Sequence, residues 1–133
     1  MKKIIVFSIS ILIAMLIFGC TYTPNAPPKE GTNCDGNAEC MAGLAQTCEK
    51  GYSHITVPEE QTEIFVQFLG MENDLCKTYV QAIKNPNLPD ALKGLDMTCW
   101  FPLEKIQAQD YSTQGVKCEG PLYEGLKASG ITQ

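Results

Sequence analysis

The chain contains no arginine: its ten basic residues are all lysines, set against fifteen acidic residues for a formal charge of −5. Nucleic-acid readers cluster Lys and Arg against phosphates and use Arg for bidentate base contacts. An acidic chain without arginine therefore argues against nucleic acid as a partner and against tight phosphate recognition. Histidine and tryptophan occur once each, at His54 and Trp100. No G-x-S-x-G elbow supplies a nucleophile for the histidine. No two cysteines stand at C-x-x-C spacing, the arrangement a zinc site or a redox-active dithiol would use. The closest gaps are Cys34-x5-Cys40 and Cys40-x7-Cys48. Neither a metal nor a cofactor is expected, and there is no internal repeat.

What the chain does have is cysteine, at positions 20, 34, 40, 48, 76, 99 and 118. The count is odd, and the first of them closes an apolar run. Met1-Lys2-Lys3 precedes "IIVFSISILIAMLIF", two cations followed by a continuous hydrophobic stretch, as in the first two regions of a secretory signal. As a helix, at about 1.5 Å per residue, the run reaches only ~22 Å. That is short of the ~30 Å hydrocarbon core a permanent span must cross.

The residues "IFGC", 17–20, resemble the lipobox of prokaryotic lipoproteins. Ile17, Gly19 and Cys20 match it; Phe18 stands where a small residue is more usual. The resemblance implies cleavage before Cys20, a diacylglycerol thioether on its sulfur, and attachment to the lipid bilayer through that residue. Two or more acyl chains give stable anchoring, at ~0.8 kcal/mol per buried methylene. Thr21 carries no acidic retention signal, so the address is the outer membrane where one exists, or otherwise the outer face of the cell membrane. The resemblance covers residues 1–20 and implies nothing about the folded part.

With Cys20 assigned to lipid, Cys34, Cys40, Cys48, Cys76, Cys99 and Cys118 remain, an even number in an exported domain. Three structural disulfides are the natural reading, with many pairings formally open. The domain organisation is then a leader over residues 1–19, a lipidated, Pro-rich tether over 20–33, and a Cys-rich domain over 34–133. The tether "TYTPNAPPKEGTN" has no apolar period and would reach on the order of 30–40 Å if extended.

Within the domain, "NAECMAGLAQTCEKG" spaces Ala38, Met41, Leu44, Ala45 and Cys48 as a helix does. Gly36 or Asn37 is placed to cap its start, and Gly51 to stop it in a left-handed conformation. The period then changes to two: "YSHITV" alternates, and "TEIFVQFL" and "LCKTYVQAI" predict a hairpin over 62–83 around "GMEND". "DMTCWF" predicts a fourth strand, "PLEKIQ" a short helix, and "EGPLYEGLKASG" a final helix with Pro121 in its first turn. The predicted fold class is α+β, an N-terminal helix on a three- or four-stranded antiparallel meander with a short C-terminal helix, stabilised by disulfides. This order of elements resembles the cystatin-like arrangement, a resemblance of order that transfers no function.

Candidate sites are sparse. "DGNAE", Asp35 to Glu39, begins like a calcium loop but puts Cys40 and Gln46 where an EF-hand needs glycine and glutamate. His54 faces away from Ile55 and Val57 on its strand. On "MTCWF", Trp100 shares the face of Thr98, opposite Met97, Cys99 and Phe101. The favoured expectation is that the C-terminal segment covers the indole through Tyr123 or Leu126; if it does not, Trp100 and His54 form the candidate binding face. Glu59, Glu60 and Glu63 read as a solvated hairpin connection rather than as glycosidase carboxylates. The expectation is a non-enzymatic lipoprotein domain of the cell envelope that binds an envelope protein or ligand. The alternatives are a small envelope inhibitor or structural protein, and an envelope hydrolase or accessory acting through carboxylates.

Overall fold

A computed structural model describes residues 22–131; the leader and Cys20 lie outside the described residues. The fold is α+β. Six strands lie in sequence order across one sheet: β1 (Thr32–Asn33), β2 (Gly51–Val57), β3 (Thr62–Glu72), β4 (Leu75–Lys84), β5 (Asp96–Pro102) and β6 (Lys117–Glu119). All neighbours are antiparallel except β1 and β2, which run parallel. Three short helices accompany the sheet: α1 (Ala38–Thr47), α2 (Leu103–Gln107) and α3 (Pro121–Ala128). The expected three- or four-stranded meander is β2 to β5, and the sheet is wider by β1 and β6. Among the described residues no helix is long and apolar enough to cross a membrane.

Helix α1 starts where the sequence predicts, with the Asn37 side chain accepting the Cys40 N–H at 2.9 Å. It ends earlier than predicted. Cys48, at φ +55°, takes the left-handed position expected of Gly51, and Gly51 instead opens β2. The physical reason is the Cys48–Cys76 disulfide, which fixes Cys48 under β4. Gly51 is needed in the strand because a Cβ there would collide with the Leu44 side chain and the Thr32 carbonyl. The β3–β4 hairpin turns at Asn73 and Asp74, both at positive φ, the two-residue geometry that suits the twist of paired strands.

The six domain cysteines pair as Cys34–Cys40, Cys48–Cys76 and Cys99–Cys118. Three bridges in so small a domain belong to an oxidising, extracytoplasmic compartment. Cys34–Cys40 links the end of β1 to α1, Cys48–Cys76 the end of α1 to β4, and Cys99–Cys118 β5 to β6. Cys34, Cys48, Cys76 and Cys99 are buried in one core cluster with Leu44, Phe68, Phe101 and Ile106. A second cluster sits at the other end of the same face, where Leu122 and Leu126 of α3 meet Ala82, Leu88, Leu92 and Leu95.

The other face of the sheet carries Phe65, Gln67, Tyr79 and Asp96, all buried. Their cover is the stretch predicted as a spacer. It is extended, as its prolines require, but it lies across the sheet as a strap. The Tyr22 hydroxyl donates to Asp96 Oδ1, and Tyr79 donates to Oδ2 of the same carboxylate at 2.9 Å. Burial, and after it the bond to Asp96, pushes the Tyr79 phenol well above its ordinary range. Further along, Gln67 Nε2 donates to the Pro28 carbonyl at 2.7 Å, and the Lys29 ammonium sits 5.3 Å from the centroid of Phe65. Thr32 and Cys34 then pair with Lys50 and Tyr52 at the sheet edge. A sheet apolar on both faces must be covered on both, and the strap supplies the second cover.

Candidate functional site

The two predicted binding-face residues share the strap-covered face but not one site. His54 is on β2 and Trp100 on β5, with β3 and β4 between them, and their register positions do not align. His54 is half-exposed; its ring lies tilted against Phe65, centroids 4.9 Å apart, and its Nδ1 lies 3.2 Å from Asp35 Oδ1. The Asp35 carboxylate accepts the His54 backbone N–H at 2.7 Å, the main cause that holds its pKa below the usual range. These contacts fasten the Cys34–Cys40 loop to β2.

Trp100 is half-buried and is not covered by Tyr123 or Leu126, because α3 packs on the opposite face. Its indole N–H donates to Glu72, and the Lys117 and Lys77 ammonium groups lie 4.4 Å and 5.3 Å from the ring centroid. Glu59 and Glu60 form an exposed 3₁₀ turn, and Glu63 lies on β3 beyond them; they do not face one another across a cleft. Among the described residues no three His, Cys, Asp or Glu side chains come together in a group that could hold a metal.

Among the described residues a concave feature lies on the helix side, in the gap between the two core clusters. Helix α1 covers one end of the sheet and α3 the other, and the middle is left open. Ile55, Ile64, Val66, Val80 and Met97 line its floor, each half-buried although each points to the core side of its strand. Met41 and Ala42 of α1 form one wall; Gln109 and Tyr111, from the loop after α2, form another. The cavity is about 640 Å³, inside the ~300–1,000 Å³ range of small-molecule sites.

Its lining is mostly apolar. No Asp, Glu or Lys lines it among the described residues. Its Ser53 hydroxyl is already committed, donating to the Cys34 carbonyl at 3.2 Å. The remaining polar residues of the lining are Asn37, His54, Thr56, Thr78, Gln109 and Tyr111, the last of them 54% exposed. Comparison with known protein families, curated proteins and solved structures finds no match, so the chemistry of the cavity and of the surface carries the functional argument.

The sequence reading missed this cavity. It set Ile55 opposite His54 and Met97 opposite Trp100, and gave Ile64, Val66 and Val80 no face. That two short helices leave the centre of the helix-covered face open is a matter of helix length and placement, which the strand pattern does not encode.

Proposed function

We propose that the protein is a lipoprotein of the cell envelope whose domain binds a neutral, apolar small molecule or acyl chain in the cavity beside α1. The observation that carries the binding half is the open floor of Ile64, Val66, Val80 and Met97. A folded domain with three bridges would otherwise bury those side chains, at about 25 cal/mol per Å² of apolar area. The anchoring half rests on the leader and the Cys20 motif, and the three disulfides fit the compartment it implies. The absence of charge in the lining favours an uncharged guest over a fatty-acid carboxylate, which would need a cation to offset its desolvation.

The test is titration of the mature protein with Nile red, a neutral dye that brightens in apolar surroundings. Val66 lies mid-cavity, opposite Ser53 on β2 and Val80 on β4. Val66→Trp fills the space and is expected to weaken dye binding at least ~tenfold, about 1.4 kcal/mol. Met71→Trp, at an exposed residue outside the lining, is the control and should bind as the unaltered protein does. Equal binding by Val66→Trp and the control would contradict the reading.

A further inference from the structure

The strap changes what a lipid at Cys20 does to the domain. A free tether from Cys20 to Cys34 would let the domain sit at any angle, tens of ångströms from the bilayer. Here the chain is already fastened at Tyr22, whose hydroxyl donates to Asp96 at the start of β5. Only Thr21 separates Tyr22 from Cys20, so covalent geometry keeps the two within ~7 Å, Cα to Cα. The strap thus starts, two residues after the lipid-bearing cysteine, at Asp96 on the β5 side of the face it covers.

Trp100 is on the same strand and the same face as Asp96, four residues further on. At ~3.3 Å per residue the two positions are about 13 Å apart. Trp100 is the centre of a cross-strand row, with Lys77 beside it on β4 and Lys117 on β6. An amphipathic indole flanked by two long lysines is the side-chain set that settles at a bilayer surface. The ring lies at headgroup depth, while the lysine stems cover apolar surface and extend their ammonium groups to phosphates. Glu72 accepts from both Trp100 and Lys77, and Glu119 lies on β6 opposite Thr98, so the row is close to neutral overall. Short tethering and indole insertion, rather than long-range attraction, would hold this surface down.

We propose that the surface formed by Lys77, Trp100 and Lys117 lies against the headgroups of the bilayer in which Cys20 is anchored. The proposal rests on the lipoprotein reading. It turns the strap into an orienting device. The sheet stands with its strap-covered face toward the membrane, and the apolar cavity, on the opposite face, opens away from it.

Trp100 is the single tryptophan of the chain, so tryptophan emission reports this one position. The processed lipoprotein, extracted from membranes, is reconstituted into phosphatidylcholine–phosphatidylglycerol vesicles with acyl chains brominated close to the headgroup. Emission is expected to shift to the blue and to be quenched relative to unbrominated vesicles of the same composition. The double variant Lys77→Glu, Lys117→Glu should lose that quenching. Equal emission from brominated and plain vesicles overturns the proposal, as does quenching that the double variant leaves unchanged. Intact mass of the same sample separates the two readings. Unquenched emission from protein that carries the lipid mass overturns the orientation alone, whereas protein without the lipid mass overturns the anchor and the orientation with it.

Discussion

Replacing Cys48 and Cys76 together by alanine is expected to destabilise the domain by about 3–4 kcal/mol, the largest loss among the three bridges. The Cys48–Cys76 bridge closes 28 residues of chain, against 19 for Cys99–Cys118 and 6 for Cys34–Cys40. Constraint of the unfolded chain grows with the logarithm of loop length, giving roughly 3.6, 3.2 and 2.2 kcal/mol in that order. The position of the bridge adds to the argument. It ties the end of α1 to β4 through two buried cysteines and holds Cys48 in the left-handed conformation that reverses the chain into β2. Without the covalent tie, that conformation costs a non-glycine residue on the order of 1 kcal/mol, and α1 loses its fixed end. Denaturant midpoints of the three alanine pairs, measured without reductant, check the order. A Cys34→Ala, Cys40→Ala variant at least as destabilised as the Cys48→Ala, Cys76→Ala variant would contradict it.

Gly31→Ala is expected to release the strap, at a cost on the order of 3 kcal/mol. Gly31 adopts φ +87°, and a Cβ there would fall onto the Lys50 carbonyl, which accepts the Thr32 N–H at 3.1 Å. Backbone does not yield as the end of a flexible side chain does, so the β1–β2 pairing must open. Release uncovers Phe65, Gln67, Tyr79 and Asp96 and frees the backbone around the exposed Lys29 to enter the cleft of trypsin. Gly36 is the matched control: its φ is +73°, but a Cβ there meets nothing within 4 Å. Gly36→Ala should therefore carry only the dihedral cost, roughly 1–2 kcal/mol, and leave Lys29 protected. Equal rates of tryptic cleavage at Lys29 in the two variants would show that the strap does not depend on the close approach at Gly31.

Local signals in the sequence were informative where one element sets its own pattern. Asn37 caps α1 as its position predicts, and the period-two runs of β3 and β4 pair as a hairpin. What was not legible depends on distant partners. The end of α1 is set by Cys76, 28 residues away, and not by the nearest glycine. β1 and β6 have two and three residues, too few for any periodicity, and exist because the strap and the Cys99–Cys118 bridge bring them to the sheet edges. The Pro-rich segment reads as a spacer because nothing local says what it covers. The signal lay elsewhere: Phe65 and Tyr79 alternate with Ile64, Val66 and Val80, so β3 and β4 are apolar on both faces. Strands of that kind call for cover on both sides. Trp100 was assigned to the correct face by parity alone, but its lysine neighbours come from strand register, which a single strand does not encode.

The central claim is that this domain works outside the cytoplasm, held to a bilayer through Cys20. Intact mass of the protein from the membrane fraction, without reductant, tests it most directly. The predicted species begins at Cys20, carries diacylglycerol and acyl mass, and is lighter by two hydrogens for each of the three bridges. A species that begins at Met1 with no lipid, or one that keeps its cysteines as free thiols, would contradict the account.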